Sequence, residues 1–246
     1  MNIALDEQIK LLSKQLKTPT FAGYHNIQNH SDPNSTFGEL LLELMRTEYE
    51  QRQENNNRRR LKQASFPFTK TIDELDLSRY DGQISDLFIN ELASCRFIDE
   101  KKNLVMIGNP GRGKTHMAIG IGLKAGGKSV LFKNAASLSI ELSEAKDNYA
   151  LGKLEKRIQK VDLLIIDEMG YVSFDRFQSE LLFKVIADRS ERGSTIVTTN
   201  LAFSEWTNLF ENTAMVAALV DRLTFRSYVL DMNGDSYRLD HSKNGA

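Results

Sequence analysis

Residues 103–124, Asn-Leu-Val-Met-Ile-Gly-Asn-Pro-Gly-Arg-Gly-Lys-Thr-His-Met-Ala-Ile-Gly-Ile-Gly-Leu-Lys, pass from a short apolar run through a glycine-rich turn into a helical pattern. Within them, Gly108-Asn109-Pro110-Gly111-Arg112-Gly113-Lys114-Thr115 satisfies every fixed position of the phosphate-binding loop pattern. The glycines let the backbone wrap a phosphate with its N–H groups turned inward. The helix that follows begins where N–H groups are unpaired and its dipole is positive. Lys114 then reaches the outer phosphates, and the Thr115 hydroxyl suits a magnesium ion. The candidate nucleotide-binding residues therefore run without a break from Gly108 to His116. This stretch alone predicts binding of a nucleoside triphosphate.

Four further apolar runs extend the pattern: Ser129–Lys133, Val161–Ile166, Ser194–Thr199 and Tyr228–Met232. The first three alternate with helical stretches, which predicts an α/β fold with a parallel sheet buried on both faces. The third run of the series, counted from the phosphate loop, ends in Asp167-Glu168. A carboxylate at the C-terminal end of a buried strand faces the crevice where open α/β sheets bind ligands. Asp167 suits the metal shell and Glu168 a general base for an attacking water, which points to hydrolysis of ATP with Mg2+. A small-molecule kinase has no use for such a glutamate. Asn200, after Thr198-Thr199, stands where an amide would touch the γ-phosphate or position the water. Arg189, Arg222 and Arg238 are the arginines to be weighed as charge-stabilising groups, and an arginine finger supplied by a neighbour implies oligomers.

Before the phosphate loop, Leu5, Ile9, Leu12 and Leu16 share one face of an amphipathic helix that ends near Thr18-Pro19. Ser35 or Thr36 caps a second helix, with Leu41, Leu44 and Met45 as its apolar stripe. It continues into the polar arm from Glu48, where Arg58, Arg59, Arg60 and Lys62 gather positive charge. The sequence divides into a helical N-terminal module, 1–64, and an ATPase domain, 65–246, with Pro67 marking the boundary. Ile84, Leu87, Phe88 and Leu92 are expected as a buried stripe, with Cys95 a small buried apolar group near its end. Residues 134–160 form a mixed-charge helical insertion.

The chain has 246 residues, a net charge of −1 and a pI of about 6.5. No global field draws it to a polyanion, so DNA contact must come from local patches. The candidates are Arg58, Arg59, Arg60, Lys133, Lys146, Lys153 and Arg157. One cysteine excludes an internal disulfide. No apolar run is long enough for a bilayer and the first residues do not read as a signal peptide, so the expected location is cytoplasmic, with no membrane partner.

Taken together, Ala64-Ser-Phe-Pro67, the phosphate loop, Asp167-Glu168, Thr198-Thr-Asn-Leu-Ala-Phe-Ser-Glu-Trp206, Asp221-Arg-Leu223 and Gly234-Asp-Ser-Tyr-Arg238 resemble the IstB-like transposition helpers. These form a branch of AAA+ ATPases related to the DnaC helicase loaders. The resemblance implies an AAA+ core with a five-stranded parallel sheet behind the small all-α module. It implies that Asn200 acts as γ-phosphate sensor, Arg222 as arginine finger and Arg238 as second sensor. It further implies a homo-oligomer with ATP at its subunit interfaces, assembling on double-stranded DNA and delivering it to the transposase of the same element. A helicase loader built on the same core is the alternative. Arg112 replaces a small residue found in many relatives, and the short chain beyond Arg238 implies a reduced C-terminal lid.

Overall fold

The structure, a computed structural model, describes residues 3–32, 34–80, 84–190, 192–210 and 212–234. The chain divides into two compact units, Met1–Arg59 and Arg60–Ala246.

In the N-terminal unit, α1 (Ile3–Leu16) is followed by a 3-10 turn at Pro19–Gly23, α2 (Tyr24–His30) and the long α3 (Phe37–Ala64). Thr36 starts α3 reciprocally with Glu39: its N–H and hydroxyl donate to the Glu39 carboxylate at 2.7 and 2.8 Å. The amphipathic spacing of α1 yields the helix but not the packing it suggests. Leu5, Leu12 and Leu16 are exposed, whereas Asp6 and Ser13 are buried. Asp6 accepts from Tyr24 Oη at 2.8 Å and contacts His25 Nε2 at 2.9 Å, and these bonds, Tyr24's first, hold its carboxyl below the usual range. Likewise Glu48 accepts from the Thr20 N–H at 3.1 Å and from Arg52 Nε at 2.6 Å. This unit is knit by charge-assisted hydrogen bonds, and most of its leucines are exposed.

The second unit opens with α4 (Asp86–Ala93) and α5 (Arg96–Asp99), then alternates strand and helix. Its elements are β1 (Asn103–Ile107), α6 (Lys114–Lys124), β2 (Val130–Asn134), α7 (Ala135–Asp147), α8 (Leu151–Lys160), β3 (Leu163–Asp167), α9 (Arg176–Arg189), β4 (Ser194–Thr199), α10 (Thr213–Thr224) and β5 (Ser227–Asp231). The strands form one parallel five-stranded sheet in the order β2-β3-β4-β1-β5. The apolar runs became strands because side chains alternate between two faces; both are covered in β1, β3 and β4, whereas Val229 of the margin strand β5 is exposed. Leu163 and Ile165 pack on the α6 side with Leu104, Met106 and Ile196. Leu164 and Ile166 pack on the opposite side with Val105, Val197, Leu182 and Trp206.

Two expectations need correction. Leu87 is exposed, and Ile89 takes its place in the buried stripe with Ile84 and Leu92. The helix starts only at Asp86, after the Ser85 cap, which turns position 87 outward. Arg189, weighed as a finger, is one of the largest fully buried side chains at 1% exposure. Its guanidinium donates to the carbonyls of Ile158 (2.6 Å), Val161 (3.1 Å) and Ser194 (2.7 Å), tying the end of α8 to the start of β4. Burial pushes it down to about 10, so it stays charged at neutral pH. Cys95 is buried as expected, which raises its thiol to about 11.

Arg189→Ala orphans several buried carbonyls at once, each worth about 1–3 kcal/mol. The expected loss is about 3–5 kcal/mol, as for breaking a buried charged cluster. In a thermal scan that is a fall of about 10 °C; a change under about 2 °C would contradict the role.

Candidate ATP-binding site

The phosphate loop joins the C-terminal end of β1 to α6. Gly113, at φ 77°, caps the helix, and a side chain there would meet Leu75 Cδ1 and Tyr80 Oη at 3.0 Å. Gly108 is required for a different reason: a Cβ on it would lie 2.5 Å from the Met232 backbone. Lys114 is buried, with Nζ donating to the carbonyls of Gly108 (2.6 Å) and Asn109 (2.8 Å). Its ammonium is thereby held across the mouth of the loop.

Beside the loop lies a cleft of about 660 Å3, lined by Pro110 to His116, Asn134, Asp167, Glu168, Thr198 and Thr199. Its remaining wall comes from the segment before α4, including Phe68, Leu75 and Tyr80. The Thr115 hydroxyl donates to Asp167 at 2.9 Å. The Thr198 hydroxyl donates to Asp167 Oδ1 at 2.6 Å and accepts from the Glu168 N–H at 2.9 Å. Thr198 thus fixes the Asp167 carboxylate and the backbone of Glu168 at once. Burial raises the Asp167 carboxyl above its ordinary value, against the pull of the Thr198 and Thr115 hydroxyls, and the Glu168 charge adds to the rise. A buried carboxylate beside a hydroxyl, both hard oxygen donors, fits a magnesium ion; Thr115 and Asp167 would hold it, where it would neutralise phosphate charge.

Glu168 sits at φ 61°, a left-handed conformation unusual for its type. Its Oε2 accepts from Asn134 Nδ2 at 2.8 Å. Parallel register sets Asn134 opposite Asp167, at the end of the neighbouring strand. Asn134 therefore engages one oxygen of the candidate base. Asn134→Ala is expected to raise basal ATP hydrolysis about threefold to tenfold, by freeing a charge-assisted bond of roughly 1.5 kcal/mol. Steady-state phosphate release checks this, and a fall in rate would make Asn134 an orienting group instead.

The other expected residues are distributed differently. Arg112 lines the cleft, but its side chain turns toward β5, with Nε donating to the Met232 carbonyl at 3.1 Å and the guanidinium 5.0 Å from the Tyr80 ring. His116 contacts the Thr71 carbonyl at 2.7 Å, tying α6 to the preceding segment. Asn109 Nδ2 reaches the Gly234 carbonyl at 3.4 Å. Asn200 stands just past β4 and is not among the lining residues; its Oδ1 is buried without a hydrogen-bond partner among the described residues. A Cβ at Gly170, in the turn after Glu168, would lie 2.6 Å from that oxygen.

Arg222, in the last turn of α10, is brought nowhere near the cleft. Asn103, at the start of β1, donates to the Leu223 carbonyl at 3.2 Å, whereas the phosphate loop leaves the other end of β1. The two strand ends are about 15 Å apart. Its guanidinium lies 5.3 Å from the Phe183 ring. Arg238 and the reduced lid fall outside the described residues.

The basic candidates are divided between the two units. Arg58 pairs with Glu54 at 2.7 Å, Glu141 engages Lys133, and Lys146 stands 3.8 Å from the Phe177 ring. Arg59, like Arg58, belongs to the N-terminal unit. Arg60, Lys153 and Arg157 line a groove separate from the cleft. Among the described residues no helix is long and apolar enough to cross a membrane.

Sequence reading missed Asn134, Thr198 and the Phe68-Leu75-Tyr80 wall. Phe68 of the last stands beside Pro67, the domain boundary of the sequence reading.

Comparison with known proteins agrees with this geometry. The IstB-like ATP binding protein family matches residues 11–245. The ATP-binding protein of insertion sequence IS5376 from Geobacillus stearothermophilus is 36% identical over 214 residues, covering 85% of this chain and 84% of the relative. The corresponding protein of IS21 from Pseudomonas aeruginosa is 34% identical over 209 residues, covering 84% and 78%. Among solved structures, the DnaC helicase loader superposes with a TM-score of 0.54 at 20% identity, covering 70% of this chain and 98% of that one. AMPPCP-bound DnaA from Aquifex aeolicus gives 0.57 at 14% identity, covering 73% and 55%. These two likenesses are of fold alone. The chain belongs to the IstB-like ATP-binding protein family.

Proposed function

We propose that the protein is an ATP-hydrolysing helper of transposition that assembles on duplex DNA and presents it to the transposase of the same element. The observation carrying hydrolysis is the Thr198 hydroxyl joining the Asp167 carboxylate to the backbone N–H of Glu168, which anchors a metal-suited carboxylate beside the backbone of the candidate base. Lys114 and the loop N–H groups bind the phosphates of the substrate, and Glu168 takes the proton of the attacking water. Asn200 is assigned the reading of the γ-phosphate. Arg222 is assigned to a neighbour's cleft, because its own lies at the far end of the strands. ATP then sits at the joint between subunits, and hydrolysis loosens the assembly.

Association with transposition rests on the relatives, which are insertion-sequence proteins. Duplex contact is assigned to Arg58, Arg59 and Lys146. Each contact is weak alone, and an oligomer multiplies them along the polyanion. An electrophoretic shift of duplex DNA with and without ATP tests the reading. ATP-dependent retention supports it. Capture of a hexameric helicase together with selective single-strand binding would replace it with the loader reading, whose fold the DnaC likeness shares.

The arginine assignment carries its own expected outcome. Arg222→Ala should lower ATP turnover about 1,000-fold, the smaller end of what an arginine finger contributes. ATP affinity of the isolated subunit should stay unchanged. A variant that loses affinity but keeps turnover would place Arg222 elsewhere.

A further inference from the structure

Helix α8 has three faces. Leu154 and Ile158 are buried in the core. Glu155 and Gln159 turn toward α9, to Lys184 at 2.5 Å and Asp188 at 3.3 Å. The third face carries Lys153, Lys156, Arg157 and Lys160, the i, i+3, i+4, i+7 spacing of a single stripe, all exposed. None of these four has an ion-pair partner among the described residues. Like charges at this spacing repel, so the stripe works against its own helix. The helix dipole accounts for cations in the last turn, Arg157 and Lys160, but disfavours Lys153 at the opposite end.

The stripe forms one rim of a groove of about 970 Å3, with Arg60 contributing to the same lining. The floor is apolar: Val130 and Leu131 at the start of the margin strand β2, with Leu154 and Val161. The one lining carboxylate, Glu141, is already engaged by Lys133. A cationic rim over an apolar floor asks for a ligand with both characters. A DNA duplex supplies phosphates but has nothing to seat in a recess of this size, and it would leave the floor uncovered. A peptide seats an apolar side chain on the floor, occupies the remaining volume with its backbone and neighbouring residues, and meets the rim with carboxylates.

We infer that this groove docks a short peptide segment of a partner protein, with an aliphatic or aromatic anchor flanked by acidic residues. Arg60, Lys153 and Arg157 thereby serve protein recognition rather than DNA.

Gly152 lines the groove, and a Cβ built on it meets nothing within 4 Å. Gly152→Trp can therefore block the recess without changing charge, while Lys156→Glu/Lys160→Glu reverses the rim without touching the floor. Full-length protein is used to select dodecamers from a random peptide display library, and the winners are measured by fluorescence anisotropy. Carboxylates flanking Leu, Ile or Phe are expected to emerge. Binding should fall at least about tenfold, or 1.4 kcal/mol, in either variant, with ATP affinity unchanged in both. ATP-dependent duplex binding by Gly152→Trp should match the parent. The inference is overturned by absence of enrichment, by winners without carboxylates, or by undiminished binding to Gly152→Trp. It is also overturned if duplex DNA displaces the peptides and loses affinity for Gly152→Trp, which gives the groove to nucleic acid. A parent protein that binds these peptides but no duplex would remove the DNA reading above and leave this one standing.

Discussion

Lys114→Ala is expected to weaken ATP binding by at least about 100-fold, or 2.7 kcal/mol. The loop supplies neutral N–H dipoles, and Lys114 is the one loop cation whose ammonium is held at its mouth, by the Gly108 and Asn109 carbonyls. Arg112 does not substitute, because its guanidinium is committed to the Met232 carbonyl and the Tyr80 ring. Alanine removes the charge from a buried position while leaving the glycine turn intact. Isothermal titration with ATP measures the loss, and a thermal scan without nucleotide confirms the fold. Affinity within threefold of the parent would show that the phosphates sit elsewhere.

Glu168→Gln is expected to separate binding from turnover. Glutamine fills the same space, can still accept from Asn134 Nδ2, and keeps the backbone bond to Thr198. Only the basicity is lost. General-base catalysis contributes about 100-fold to 10,000-fold, so phosphate release should fall by that range while ATP affinity changes less than about threefold. A variant that hydrolyses at a tenth of the parental rate or better would mean that another group takes the proton. Thr198→Val should act in the same direction but less severely. It removes a buried hydroxyl bonded to the Asp167 carboxylate and the Glu168 backbone N–H, about 1–3 kcal/mol of positioning.

The sheet was legible because strands buried on both faces appear as plain apolar runs, and because parallel order demands a helix between each pair. The phosphate loop and Asp167-Glu168 were legible because the chemistry is local in sequence. What escaped depends on contacts between distant segments. Asn134 becomes the partner of Glu168 only through the β2–β3 register. Arg189 is buried because four carbonyls from the end of α8, the residues after it and the start of β4 converge on it, which no spacing rule expresses. In α1 the apolar spacing of Leu5, Leu12 and Leu16 was real, yet Asp6 and Ser13 turned inward once Tyr24 and His25 supplied partners. Arg112 read as part of the phosphate cradle, but the carbonyl of Met232 redirects it.

Arg222 and the cleft lie at opposite ends of β1, so the proposed role of Arg222 as a finger requires a second subunit. The direct test is the mass of the Glu168→Gln protein by light scattering, with ATP and a duplex long enough for several subunits. Formation of a DNA-bound oligomer that requires ATP, and that dissolves when Lys114→Ala is added to the same chain, is the predicted result. A strictly monomeric protein with ATP and DNA both present would contradict it.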